Sequence, residues 1–291
     1  TPACPTGSTR PTSEEWDDSG DDGELRLTAE ILYQQSEVLI ALALLGCMGL
    51  AGELGYRIGR RGRRTHNELT RTQIIGMQAA ILGLLSLLLG FTFAMALSRF
   101  EYRKQMVVQE SNAIGTAALR AQFLPASHDD EVARLFRRYV EIRLTSVLQT
   151  AQSSPAREQL DAETRELQRR LWHIANEAAE ADPRSVPLGL FTHAVNEVID
   201  IKAKRDIAVA NHVPESVLLF LLLFAVLAAA VLGYGNGLAG ARIASLSAAY
   251  LVIVVLTVVL IIDLDRPQSG LARVSQASMI QLEEILDAGR R

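Results

Sequence analysis

The chain has 291 residues, 49% of them hydrophobic, and a formal net charge of −4 at pH 7. This small charge, without a stripe of Lys and Arg interleaved with aromatic residues, excludes a typical nucleic-acid-binding protein. The apolar residues are concentrated in a few long uncharged runs, which are rare in water-soluble domains and typical of membrane-spanning helices.

Residues 1–30 are polar and carry an acidic cluster between Glu14 and Glu24. This composition predicts a flexible tail, and no signal peptide is recognisable in it. The two cysteines, Cys4 and Cys47, form neither a disulfide framework nor a metal-site spacing. Cys47 lies inside an apolar run, where we expect it to be a small packing residue.

Apolar runs within residues 31–98 and 214–263 predict four transmembrane helices. The runs are Val38–Gly52, Ile74–Leu97, the segment after Pro214-Glu215 to about Tyr234, and Ile243–Ile262. The first run is short for a bilayer about 30 Å thick, so we expect it to extend toward Ile31 or Ile58. The string GYGNGLAGAR between the third and fourth runs predicts a Gly-rich hairpin.

The stretch 99–213 is rich in Arg, Glu, Gln and Ala, and its apolar residues recur at helical spacing. Three sets show this pattern: Val132, Phe136, Tyr139 and Ile142; Leu160, Thr164, Leu167, Leu171, Ile174 and Ala178; and Phe191, Val195, Val198 and Ile201. Proline-containing breaks separate them. We therefore predict an all-α fold in which a helical extramembrane domain is inserted between the second and third transmembrane helices.

The C-terminal segment 264–291 contains an amphipathic helix over about Ser275–Ala288, with Met279, Leu282, Ile285 and Leu286 on one side. Four spans place both termini and the 99–213 domain on one side of the membrane. The other side carries the short loop Arg57–Arg71, which holds six arginines. Short basic loops stay in the cytoplasm, so this loop favours a domain outside it, although the domain side also has cations near the membrane.

The second predicted span carries a row of small residues on one face: Gly76, Ala80, Gly83, Gly90 and Ala94. Such a row lets another helix backbone approach closely, which is its usual role in membranes. The sharper interpretation is a narrow conduit lined by these residues, with Phe91 or Phe93 as an apolar gate near its exit.

Several polar residues near the span ends have both a functional and a structural interpretation. They are Glu53, Glu110, Asn112, Asp263, Asp265 and Arg266. Glu53 is either an intramembrane carboxylate or a headgroup-level partner of Arg57, four residues on. Glu110 and Asn112 either face a vestibule or join helices through buried polar contacts. The last three either form a charged pore mouth or tie down the chain where the fourth span ends.

Four strings resemble one bacterial family of membrane proteins, called bestrophin-like. They are GYRIGRRGRRTHNE, ILGLLSLLLGFTFAMALSRFEYR, QESNAIGTAALRAQFLP and DLDRPQSGLARVS, and the resemblance covers about residues 50–280. The family has no established activity. Its name implies a distant likeness to bestrophins, pentameric anion channels with four spans and a cytoplasmic helical domain. The acidic calcium clasp of bestrophins is not recognisable here.

No pattern typical of an enzyme is present: the five histidines lack zinc-site spacing, and neither a nucleophile elbow nor a phosphate-binding Gly loop occurs. We expect no enzymatic activity, cofactor or metal. The sequence predicts a multi-pass cell-membrane protein whose partners are lipid, ions and further copies of itself. Its predicted function is an oligomeric ion channel or pore lined by the second span. The alternative is a structural or sensory membrane protein whose helical domain binds a partner.

Overall fold

A computed structural model describes residues 36–63, 68–148, 155–240, 244–266 and 272–288. Within these residues the chain forms eight α-helices and one short 3-10 turn, with no strand. The helices are α1 (Glu37–Gly62), α2 (Glu68–Arg120), α3 (Ala126–Leu148), α4 (Pro155–Ala181), α5 (Val186–Ala210), α6 (Glu215–Ala239), α7 (Ala244–Asp265) and α8 (Ala277–Ala288). The all-α class is confirmed for the described residues, and the predicted acidic tail, residues 1–30, lies outside them.

Four of these helices, α1, α2, α6 and α7, are long and apolar enough to cross a membrane. The most apolar window of each has a mean hydropathy between 2.0 and 2.8, yet only 17 to 33% of those windows is buried within the chain. Water would solvate so much exposed apolar surface poorly, whereas the hydrocarbon interior of a bilayer solvates it well. The protein is a multi-pass membrane protein.

The first transmembrane helix, α1, is longer than its uncharged run. It begins after Ser36, whose hydroxyl caps the helix by accepting a hydrogen bond from the backbone N–H of Leu39 at 3.3 Å. Its 26 residues correspond to about 39 Å, which is enough to cross the hydrocarbon layer. The extension runs through Glu53 and Ile58, as predicted.

The predicted hairpin GYGNGLAGAR is wrong in its first part, because α6 continues through three of its glycines and ends at Ala239. The turn begins only at Gly240, which has a φ of 70°. Gly233 and Gly237 are helical because α1 packs against them: a Cβ on either would overlap the backbone of α1 near Gly52 or Tyr56. This close packing outweighs the cost of about 1 kcal/mol that glycine carries in a helix.

The longest helix, α2, has 53 residues and extends about 80 Å. Its first half contributes Leu85, Leu89 and Ala96 to a core shared with α1, α6 and α7, called here the transmembrane core. Its second half contributes Ala113, Ile114 and Ala117 to a separate core shared with α3, α4, α5 and α8, called here the second core.

The helical periodicity of the stretch 99–213 corresponds to buried positions in the second core. Val132, Phe136, Tyr139 and Ile142 are each at most 2% exposed. In α8, Met279 and Leu282 are buried in the second core, whereas Ile285 is 60% exposed. At 100° per residue Ile285 lies about 120° around the helix from Met279, and with Leu282 and Leu286 it lines a cavity against α2 and α3.

Candidate functional site

One face of α2 in its apolar run is not covered by any other part of the chain that the structure describes. Gly76, Gly83 and Gly90 recur every seven residues, and a Cβ added to any of them would meet no atom within 4 Å. Ala80 and Ala94 are also exposed. No contact within the described residues requires small side chains at these positions, in contrast to the glycines that join α1 and α6.

The two phenylalanines near the end of this span face different surroundings. Phe91 is 64% exposed and lies on the same side as the small residues. Phe93 is half-buried and packs against the transmembrane core. The structure therefore brings six of the seven predicted pore-lining residues to one exposed face and places Phe93 elsewhere.

The exposed face of α2 continues beyond the apolar run as a polar stripe. Glu101, Gln105 and Asn112 are exposed and follow Gly76 at spacings that keep them on one side of the helix. From Gly76 to Asn112 this face extends about 54 Å at 1.5 Å per residue. We call it the α2 free face.

Glu110 lies on the opposite side of α2 and is completely buried. Its carboxylate accepts a hydrogen bond from Arg143 Nε of α3 at 2.8 Å. It also accepts two from Arg205 Nη1 of α5, at 2.9 and 3.0 Å. One carboxylate thus joins three helices, and we call these three residues with Asp206 the Glu110 cluster.

The remaining contacts of the cluster extend it toward the surface. Arg205 Nη2 donates to Asp206 Oδ1 at 3.0 Å, and Lys202 Nζ also binds Asp206. Tyr139 lies beside the cluster, and its burial raises the pKa of its hydroxyl well above the usual range. Its Oη accepts a hydrogen bond from Gln168 Nε2 at 3.4 Å.

The two arginines of the cluster are not among the predicted site residues, although the sequence contains a signal for one of them. Val198, Ile201, Arg205 and Ala208 follow one another at spacings of 3, 4 and 3, so Arg205 lies on the buried stripe of α5. A charged residue on an apolar stripe requires a buried partner.

A second buried polar group lies where α2, the α5–α6 connection and α7 meet. Asp265 is completely buried and accepts hydrogen bonds from the backbone N–H of Val213 at 2.9 and 3.1 Å. Arg103 Nη2 lies 3.8 Å from Asp265 Oδ1. The Arg103 guanidinium also donates to the carbonyls of Ala208, Asn211 and Asp265, at 2.9 to 3.1 Å. We call this group the Arg103–Asp265 junction.

The other charged candidates also contact neighbouring parts of the chain. Asp263 is 2% exposed and accepts a hydrogen bond from the backbone N–H of Ala272 at 2.9 Å. Arg266, next to the junction, is buried. Glu53 accepts a hydrogen bond from Arg57 Nε at 3.0 Å, one helical turn on. In the part of the chain that the structure describes, no group of three or more His, Cys, Asp or Glu side chains is placed to hold a metal ion.

Comparison with protein families identifies the chain. A family model described as the Bestrophin-like domain matches residues 45–279, most of its length. The chain belongs to the Bestrophin-like domain family. A search of curated proteins finds no match to this Bestrophin-like chain.

Solved structures with the same fold include crystal structures of a bacterial bestrophin homologue from Klebsiella pneumoniae. One is a tryptophan-to-alanine variant, with a TM-score of 0.63 and 16% identity over 89% of this chain and 100% of that one. Another, phased on zinc, has a TM-score of 0.62 and 17% identity over 86% and 97% of the two chains. The Bestrophin-like chain therefore shares the overall fold of these proteins at low sequence identity.

Proposed function

We propose that this chain forms an oligomeric ion channel whose pore is lined by the α2 free face. The observation that carries the proposal is the contrast between two sets of glycines. Gly55 and Gly59 of α1 and Gly233 and Gly237 of α6 are used in close helix packing, whereas Gly76, Gly83 and Gly90 meet nothing within 4 Å among the described residues. Glycines that no contact within the subunit requires are explained by an axis where several copies of α2 converge.

In the proposed assembly, small residues between Gly76 and Ala94 line the narrow membrane section. Phe91, which is 64% exposed, supplies a ring of apolar side chains as a gate. Glu101, Gln105 and Asn112 line a wider polar vestibule. The second core is the extramembrane domain inserted between the second and third spans, and the bestrophin resemblance suggests five subunits.

A bulky residue on the free face tests the proposal directly. Purified protein reconstituted in planar bilayers is expected to conduct ions, and Gly83→Leu is expected to reduce the single-channel conductance at least tenfold. Gly46→Leu is the matched control, because Gly46 also has no atom within 4 Å of an added Cβ but lies on α1. Absence of conductance in the unmodified protein, or undiminished conductance in Gly83→Leu, would contradict the proposal.

The second candidate function is a structural or sensory membrane protein that binds a partner. One observation favours it: large apolar side chains are exposed at the far end of α2 and the start of α5. Leu119 is 67% exposed, Phe123 49% and Val186 73%. If the purified protein does not conduct, this apolar surface becomes the first place to test for a partner.

A further inference from the structure

A cavity of about 330 Å³ lies between α2, α3, α4, α5 and the segment before α8. It lies on the opposite side of α2 from the free face and is bounded by both the Glu110 cluster and the Arg103–Asp265 junction. Its walls contain five arginines from five different parts of the fold: Arg103, Arg143, Arg157, Arg205 and Arg273. We call it the arginine cavity.

Positive charge exceeds negative charge around this cavity. The lining also includes two acidic residues, Asp161 and Asp206. Glu110, Asp265 and Lys202 lie behind the walls and bind lining residues. Counted together, these groups comprise six cations and four carboxylates, so the surroundings carry a surplus of two positive charges.

The inner arginines of the cavity are held in place by the protein. Arg143 and Arg205 are 8% and 9% exposed, and both bind the single carboxylate of Glu110. The Glu110 carboxylate fixes the orientation of both guanidinium groups, and Arg205 also binds the carboxylate of Asp206. Guanidinium groups fixed in this way lose little freedom when they bind an anion, which favours tight binding.

The outer part of the cavity adds cations and a polar atom. Arg157 belongs to α4, and Arg273 belongs to the segment before α8 and is exposed. Gln276 donates its amide to the carbonyl of Val274 at 3.2 Å, while its buried Oε1 has no hydrogen-bond partner among the described residues. A bound water or a protonated oxyanion would supply the missing donor.

We propose that the arginine cavity binds a phosphate group. Phosphate presents several anionic oxygens that match the planar fork of guanidinium donors, and several arginines can bind it at once. The volume accommodates a phosphate or a phosphate ester with room for water, and is far larger than a halide ion needs. Because Arg103 also forms the junction at the end of the second span, the phosphate belongs either to a soluble molecule or to a lipid headgroup.

The first test is binding of pyrophosphate to the full-length protein in a neutral detergent, and the readout is the midpoint of thermal unfolding. Pyrophosphate is expected to raise the unfolding midpoint above that in potassium chloride of equal ionic strength. In the double variant Arg157→Gln/Arg273→Gln the apparent Kd is expected to rise at least tenfold. Arg169→Gln is the control, because Arg169 is on α4, 74% exposed and outside the cavity.

The second arm distinguishes a lipid source. The same proteins are placed in nanodiscs of phosphatidylcholine with or without phosphatidylglycerol, and lipid retention is measured by native mass spectrometry. The site is assigned to a lipid headgroup if the double variant, but not the control, loses phosphatidylglycerol and if pyrophosphate does not shift the unfolding midpoint. The proposal is overturned if neither ligand binds, or if the double variant binds both as well as the Arg169→Gln control does. The unfolding midpoint without ligand verifies that each variant is folded.

Discussion

At the scale of single residues, Glu110 is the buried carboxylate that joins α2, α3 and α5. Bringing one carboxylate and two guanidiniums into a buried site costs solvation free energy that their mutual attraction only partly recovers. The intact cluster therefore adds little net stability. Removing Glu110 would leave Arg143 and Arg205 buried without the carboxylate that joins them, and Arg205 would retain only Asp206.

Glu110→Gln is expected to lower the free energy of unfolding by about 3–5 kcal/mol, as is typical when a buried ion pair loses one partner. The matched control is Glu163→Gln, which removes the carboxylate from the ion pair between Arg138 and Glu163. The Arg138 guanidinium beside Glu163 lowers the pKa of that carboxyl. Both side chains of that pair are at least 40% exposed, so solvent screens it and a loss below about 1 kcal/mol is expected.

Unfolding in mixed detergent micelles measures both variants against the unmodified protein. Equal losses for Glu110→Gln and Glu163→Gln would show that the cluster is solvated in the working protein. The assigned role of Glu110 in joining α2, α3 and α5 would then be wrong.

At the scale of helices, the membrane part contains two glycine patterns with different surroundings. Gly55 and Gly59 of α1 face Ala230 and Tyr234 of α6, and an added Cβ at either glycine would overlap that backbone. The two helices pack backbone to backbone, which favours association in lipid, where no hydrophobic effect drives helices together. The glycines of the α2 free face have no such partner among the residues that the structure describes.

Gly233→Ala is expected to destabilise the protein by at least about 1–3 kcal/mol, the usual cost of overpacking. The added methyl group would overlap the backbone of α1 at Gly52, which cannot rotate away as a side chain can. Gly46→Ala is the control, since the space around Gly46 is open and alanine favours helix. The thermal midpoint in detergent measures both, and a Gly233→Ala midpoint at or above that of Gly46→Ala would refute the close packing.

The helices themselves were predictable because their signals are local. Apolar periodicity identified the buried positions Phe136, Leu171 and Phe191, and the long uncharged runs identified four spans. The glycines of α6 were misread as a turn because the same residue type serves turns and close packing. Only the position of α1 distinguishes the two roles, and nothing within the string GYGNGLAGAR records it.

The candidate site was less predictable because it depends on how distant segments pack, which the local sequence pattern does not record. Sequence spacing placed Gly76, Gly83 and Gly90 on one face but gave no information on which side of α2 the other helices pack. Phe93 illustrates the consequence, because two residues of separation from Phe91 are enough to bring it into the transmembrane core. The partners of Glu110 come from segments 33 and 95 residues away, and helical periodicity does not encode such pairings.

At the scale of the whole molecule, the proposed channel separates the lipid-exposed surface from the α2 free face. A single subunit in a bilayer would expose Glu101, Gln105 and Asn112 in line with an apolar helix face that has no partner. Polar residues that continue an apolar stripe are consistent with one surface that passes from membrane to water. In an assembly around an axis, the whole surface would line one water-filled path. In a monomer, its apolar part would face lipid and its polar part would face water.

We expect the orientation of the protein in the membrane to follow from charge. Four spans would put both termini opposite the basic end of α1, which carries Arg57, Arg60 and Arg61, and short arginine-rich segments between spans remain in the cytoplasm. We therefore expect Cys4, which lies outside the described residues, to react with a membrane-impermeant maleimide in intact cells. Cys47→Ser removes the other thiol, and Cys4→Ser supplies the unlabelled control. Protection of Cys4 until lysis would instead place the termini and the second core in the cytoplasm, as the bestrophin resemblance implies. It would show that the cations on the domain side of the membrane determine the orientation more strongly than the arginines between the first two spans.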